Sequence, residues 1–300
     1  MSLSTRTGPD SVTPRSGQPG GGPVPSITVP GDKAAIERRR RVLDLVLPIG
    51  VFVLLIGVAY LVTYVVLTPD RRFLLPPLHE IVRVGFLDPD NLMEILEALG
   101  RTTVIAMTGL GLSAVIGLSV GIAMSSATWV ERSLFPYAVV LQAIPILALV
   151  PLMGFWFGFG FTARVIVCVI CALFPIIANT LFGLQSVDKA QRELFQLHNA
   201  PRSTVLRKLL IPAALPSVFT GFRISAGAAV IGAIVGDTYF RQGDPGIGIL
   251  IDLYRARLQS EQLFASIIAS SLLGIVVFVF FGRLGRRLVG HWHASSKSPM

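Results

Sequence analysis

Residues 183–216 read GLQSVDKAQRELFQLHNAPRSTVLRKLLIPAALP. The stretch is polar and mostly cationic: Lys189, Arg192, Arg202, Arg207 and Lys208 outnumber Asp188 and Glu193. Strongly apolar runs flank it on both sides. A polar island in an apolar chain connects membrane spans, but connections between packed helices run to roughly 2–8 residues, and this one is far longer. Ala190, Leu194 and Leu197 recur at i, i+4 and i+7, the spacing of one helix face. Asp188 stands at the N-cap position with Gln191 three residues on, as in a capping box. Pro201 ends that helix or opens the next one. Pro212 and Pro216 punctuate the entry to the following apolar run. The expected structure is a short amphipathic helix, a turn at Asn199-Ala200-Pro201 and a second short helix, all on one membrane surface. Such a helix either rests in the lipid interface or docks into a groove of a partner protein.

The composition agrees with a membrane setting. Of 300 residues, 52% are hydrophobic and only 14% charged, against about 25% charged in a soluble domain. The net charge of +9 does not point to nucleic acid. The basic residues gather at the ends of apolar runs, where they orient a chain in the inner membrane. Cys168 and Cys171 lie within one apolar run, with no further Cys or His close by to complete a metal site, and read as helix core.

Taken in order, residues 1–37 are rich in Gly, Pro, Ser and Thr and carry too little apolar area to fold alone. This predicts a disordered N-terminal tail. The run Arg38 to Arg41 abuts an apolar stretch from Val42 to Leu67, long enough for a bilayer crossing of about 20 residues. The arginines are expected to hold its start in the cytoplasm. A loop over 68–100, with an amphipathic helix, falls on the outer face. The core over 101–287 contains five further spans, near 102–125, 133–157, 164–184, 217–239 and 263–282. Residues 288–300 form a second cytoplasmic tail after Arg283, Arg286 and Arg287. The fold class is therefore an all-α integral membrane protein with six transmembrane helices.

Two features of the spans bear on function. Gly117 and Gly121 are four apart on the second span, as are Gly109 and Ser113, a spacing that lets helix backbones approach closely in lipid. Gly117-Leu118-Ser119-Val120-Gly121 is thus a packing seam and not a hydrolase elbow. The third span carries Pro136, Pro145 and Pro151 and the polar Gln142. Prolines within a span are tolerated where neighbours or a cavity satisfy the freed backbone. Gln142, Pro145, Asn179 on the fourth span and Asp237 at the end of the fifth are the candidate pathway residues.

At this point the residues resemble a family. The central stretch is similar to the coupling loop, or EAA motif, of permease subunits of bacterial ATP-binding-cassette importers. That motif runs Glu-Ala-Ala, three residues, Gly, nine residues, an aliphatic residue, one residue, then Leu-Pro. Glu193 takes the Glu place, Leu194 and Phe195 the two Ala places, Asn199 the Gly, Leu209 the aliphatic, and Ile211-Pro212 the Leu-Pro. The spacing is kept, while two small residues have become large and the Gly has become Asn. Asn is the next most tolerant residue of left-handed backbone. Leu74-Leu75-Pro76-Pro77, the turn PLMGFWFGFGF at 151–161, Gly221-Phe222-Arg223 and GDPGIG at 243–248 also resemble the sulfonate, taurine, nitrate and pyrimidine-precursor branch. Asp237 stands where that branch usually has Glu.

The resemblance implies the type I ABC importer permease fold, with a cytoplasmic coupling helix within 185–216 and both termini in the cytoplasm of a bacterial plasma membrane. It assigns Glu193, Leu194, Phe195, Asn199, Ala200, Pro201, Leu209, Ile211 and Pro212 to the ATPase-coupling loop. It implies two copies of an ABC ATPase, an extracytoplasmic solute-binding protein and a second permease copy as partners. ATP and Mg would be bound by the ATPase, since this sequence has no phosphate-cradling Gly-Lys-Ser/Thr loop, and no cofactor or metal is expected here. No catalytic set is visible: His79, His198, His291 and His293 are scattered over loops and tail. A secondary carrier driven by an ion gradient is the alternative. It needs intramembrane carboxylates and repeated halves; Asp237 is the one candidate carboxylate, and no repeat is evident.

Overall fold

A computed structural model describes residues 30–289. Of the tails expected over 1–37 and 288–300, residues 1–29 and 290–300 lie outside the described residues, while 30–37 and 288–289 are helical rather than part of a tail. Helix α1 (Pro30–Leu61) continues through a π-helical turn at Val62–Val66, and its apolar window spans Val46–Val66. The chain up to Gly57 is one unit, and the chain from Val58 onward is a second, compact unit.

Within that second unit a 3-10 turn at Pro69–Leu74 leads to α2 (Leu78–Gly85) and α3 (Pro89–Ser126). Then come α4 (Thr128–Ala143), α5 (Ile146–Phe157) and α6 (Phe161–Gln185). The central stretch holds α7 (Lys189–Leu197) and α8 (Arg202–Val205). A π-helical turn at Leu206–Leu210 joins α8 to α9 (Ile211–Tyr239), which is followed by α10 (Ile247–Ala256) and α11 (Ser260–Val289). Among the described residues five helices are long and apolar enough to cross a membrane, and six if α4 and α5 count as one bent span.

Three expected boundaries change. The second span does not begin at Thr102: α3 starts at Pro89, because Asp88 caps it by accepting from the Asp90 N–H at 3.0 Å and nothing interrupts it before the apolar run. The third span is no kinked rod. Ile144 and Pro145 are extended, and α4 and α5 meet at a 100° bend; Pro145 has no N–H to carry the helix across. The second short helix of the central stretch is not separate. From Arg202 to Tyr239 the chain forms one long apolar element. At its π turn the Ile211 N–H donates five residues back, to Leu206 O, which accommodates the missing N–H of Pro212.

The core sits where α3, α6, α9 and α11 meet. Ile105, Leu110, Cys168, Ile176, Ala226, Val230, Ala233 and Val277 form its centre. The seam expected at Gly117 and Gly121 is present, and its partner is α6. A Cβ on Gly117 would come within 2.8 Å of Ile176 Cγ2, and one on Gly121 within 2.8 Å of Thr180 Cβ. Helix α9 lies against the other side of α6 at equally short range. Ser225 Oγ donates to Ala172 O at 2.6 Å, and Gly183, Gly221, Gly232 and Gly236 all sit against the opposing helix. Small residues permit this approach, and dispersion between the closely packed chains drives it where lipid offers no hydrophobic gain.

Candidate functional site: a tethered amphipathic helix

The α6–α9 hairpin carries the central stretch at its tip. Its root is firm: Leu184, Ala214 and Val218 are buried together, with Leu206, Leu210 and Ile211 packed against them. Val187 is also buried. Arg192 Nη2 donates to Leu184 O at 2.9 Å, tying α7 to the end of α6. Gln185 Nε2 donates to Glu131 Oε2 at 2.8 Å, linking the same point to α4.

Helix α7 itself buries nothing. Leu194 is 54% exposed and Leu197 80% exposed, so the apolar face spelled by Ala190, Leu194 and Leu197 points away from the protein. Glu193 is exposed as well. Asp188 occupies the N-cap position, but its side chain makes no capping hydrogen bond. The capping box expected with Gln191 is therefore not formed, and Arg192 fixes the start of the helix from inside instead.

The other end of α7 explains the sequence. The Asn199 N–H donates to Gln196 O at 2.9 Å and the Ala200 N–H to Phe195 O at 3.0 Å. Asn199 has φ 46. This pair of bonds with a left-handed residue between is the Schellman stop, which takes Gly or Asn at the left-handed position. Phe195 and Ala200, each partly buried, are the residues that touch across such a stop. The Gly-to-Asn change thus keeps the turn, and Pro201 leaves it in an extended conformation.

The candidate pathway residues do not form one site. Gln142 and Pro145 are exposed at the α4–α5 bend. Asn179 is half-buried on α6, donates to Pro175 O at 2.8 Å and packs against Gly221. Asp237 lies elsewhere, fully buried at the far end of α9. Its Oδ1 accepts from Arg164 Nη1 at 3.1 Å and its Oδ2 from Thr102 Oγ1 at 2.5 Å. Both of its oxygens are taken by protein donors in this conformation. Arg164 and Thr102 were not singled out from the sequence. Arg164 reads there as the polar edge of a span, and the only signal against that is a charged residue followed directly by an unbroken apolar run. Among the described residues no group of three His, Cys, Asp or Glu could hold a metal ion.

Residues 113–290 match the family described as binding-protein-dependent transport system inner membrane component. The chain is 34% identical over 215 residues to the formylaminopyrimidine transport permease protein ThiX of Halalkalibacterium halodurans, covering 71% of this chain and 84% of that one. It is 35% identical to the riboflavin transport system permease protein RibX of Chloroflexus aurantiacus, over 56% of this chain and 61% of that one. The taurine transport system permease protein TauC of Escherichia coli is 27% identical over 70% and 74% of the two chains. Among solved structures, a chain of the MetNI methionine ABC transporter in an inward-facing conformation superposes with a TM-score of 0.52. It covers 66% of this chain and 95% of its own at 19% identity, which is a likeness of fold.

Proposed function

The chain belongs to the binding-protein-dependent transport system inner membrane component family, and from that premise we propose how it is driven and what it carries. It is a permease subunit of an ABC importer of the sulfonate, nitrate and pyrimidine branch, an integral protein of the cell membrane, and a transport subunit, not an enzyme. It works with an ATPase and a binding protein.

In our reading α7 is the coupling helix. The observation that carries this is a helix with both leucines of its apolar face uncovered, held at its root by buried residues and by Arg192. A membrane-surface helix would need no such rigid root. A docked lever does, because it must transmit displacement. Two ATPase subunits, which bind ATP and Mg, seat the α7 helices of two permease copies arranged as a homodimer. Glu193, Leu194, Phe195 and the Asn199-Ala200-Pro201 turn meet the motor, while Leu209, Ile211 and Pro212 form the start of the arm that leads into α9. Closure of the motors draws the loops together, and the spans turn from inward- to outward-facing. Docking must differ in free energy between the two states, since equal docking in both transmits nothing. The central stretch and both termini then lie in the cytoplasm, as Arg283, Arg286 and Arg287 at the end of α11 also favour.

For the solute, we propose a small heteroaromatic compound of the pyrimidine or vitamin-precursor kind. The relatives named for formylaminopyrimidine and riboflavin are 34% and 35% identical, those named for aliphatic sulfonates 31% and 32%, and those named for taurine and nitrate 27% and 30%. The sparse charge within the spans suits such a solute. Asn179 and the Gln142–Pro145 bend remain the polar positions proposed to face the path.

Two measurements test the reading. Glu193→Lys and Asn199→Pro should abolish uptake while leaving membrane insertion intact; normal transport in both refutes docking. Binding of pyrimidines, flavins, sulfonates and nitrate to the cognate binding protein identifies the solute class, and a preference for sulfonate or nitrate overturns the heteroaromatic assignment.

A further inference from the structure

The coupling stretch joins α6 and α9 at one end. At the other end the same two helices are joined again, by Arg164. Arg164 is 3% exposed. Besides Asp237, its Nη1 donates to Asp244 O at 3.2 Å, and its Nη2 donates to Gln242 O at 2.8 Å and to Phe240 O. The three acceptors are alternate carbonyls of the loop between α9 and α10. The planar fork of an arginine can hold such a set at fixed angles, which a lysine ammonium cannot. Around it, Thr102 Oγ1 accepts from the Ile247 N–H at 2.9 Å. Arg101 Nη1 donates to Pro245 O at 3.3 Å, and Arg241 pairs with Asp252 of α10. Gly246 lies against the Asp237 carboxylate so closely that any Cβ there would overlap it.

The outer side of this loop is different. Arg241, Gln242, Gly243, Asp244 and Pro245 are all exposed. Five successive residues thus present their surface to solvent while their backbone is clamped from beneath by a buried charge. An exposed loop with no task does not need a buried ion pair, which carries a desolvation cost of several kcal/mol per ion. The loop lies a full helix length from α7: α9 has 29 residues, or about 44 Å at 1.5 Å rise each.

We propose that Arg164 is a positioning residue that preforms residues 241–245 as a docking surface for the solute-binding protein. Rigidity before contact removes the ordering cost of binding. Because the clamp also ties α6 to α9, the loop moves with the hairpin whose tip carries α7. The motion of the motor end and the docking of the binding protein are thereby linked through one rigid body. The inference rests on the proposed orientation, with α7 on the cytoplasmic side and this loop on the other.

The test uses the complete transporter, permease with ATPase, in lipid nanodiscs with its solute-loaded binding protein. Arg164→Lys keeps a cation beside Asp237 but loses the fork. We expect basal ATP hydrolysis and the rate at saturating binding protein to be retained, while the half-stimulating concentration of binding protein rises. An unchanged half-stimulating concentration overturns the proposal, and so does a loss of basal hydrolysis in a transporter that still assembles. Where the variant does not accumulate, spin labels at Thr162 and Gln242 of otherwise native protein decide. One narrow distance, identical without nucleotide and with ATP trapped, supports a clamped loop; a broad or shifting distance overturns it. Failure of the orientation reads out separately, as impermeant labels reaching Gln196 from outside.

Discussion

Gly221 of α9 lies directly against Asn179 of α6. A Cβ at 221 would come to 2.9 Å from Asn179 Cβ and 3.0 Å from Pro175 O. The second of these neighbours is backbone and cannot rotate away. Gly221→Val is expected to wedge the hairpin apart and cost about 1–3 kcal/mol, the usual range for overpacking. Gly111→Ala on α3 is the contrast, since nothing lies within 4 Å of its added Cβ. It should leave the chain as stable or raise stability by up to about 1 kcal/mol through helix propensity. Thermal unfolding of the two purified variants in one detergent checks the pair, and equal melting points would sink the close-packed hairpin.

Asn199 holds φ 46 between the two bonds that stop α7. Asn199→Gly should preserve uptake, because glycine takes this backbone without strain. Asn199→Val should cost roughly 1–3 kcal/mol locally. That cost falls on the geometry of α7, which buries nothing, and not on the core. The expected result is normal accumulation in the membrane with uptake lost and ATPase co-purification weakened. Uptake by Asn199→Val equal to that of Asn199→Gly would remove the turn from the mechanism.

The spans were legible because about 20 apolar residues in a row have few alternatives to a bilayer. The helix and turn of the central stretch were legible for a related reason. Its period of Ala190, Leu194 and Leu197 is local, and so is the left-handed tolerance of Asn199. What escaped is long-range. Arg164 finds its counter-charge 73 positions later, and no window around residue 164 contains that fact. The extent of α3 escaped because Glu94, Glu97 and Arg101 break its apolar run, although helices need not end where the membrane does. The 100° turn at Pro145 escaped in angle, though not in place: a proline marks a break, and packing against α6 sets its direction. Asp188 misled in the opposite sense, since a capping residue in the right position still has to turn its side chain inward.

Leu197 is 80% exposed at the tip of the α6–α9 hairpin. Leu197→Asp should therefore leave the melting temperature of the isolated permease within error, as surface changes usually fall within about 0.5 kcal/mol. Against a docked motor the same change puts a carboxylate into an apolar groove, and interface anchors of this kind are worth roughly 2 kcal/mol or more. Co-purification of the ATPase should fall sharply, and uptake with it. Retained co-purification would return α7 to the membrane surface.

Thr102 receives and gives at once: its hydroxyl donates to Asp237 Oδ2 at 2.5 Å and accepts from the Ile247 N–H at 2.9 Å. It is completely buried. Thr102→Val keeps the shape and removes both bonds, leaving an amide without a partner and a carboxylate with one fewer donor. Each orphaned group costs about 1–3 kcal/mol, the charged one toward the upper end. Thr102→Ser keeps both bonds and loses a methyl group, so it should cost far less, on the order of 1 kcal/mol. The order of melting temperatures, wild type above Ser and Ser well above Val, is the expected outcome. Because α3 hydrogen-bonds to the clamp, among the described residues, through this hydroxyl and Arg101, the Val variant should also raise hydrogen exchange at the Ile247 amide while leaving that of the α6–α9 crossing near Gly221 unchanged. A Val variant as stable as the Ser variant would mean that the Asp237 carboxylate is satisfied by Arg164 alone.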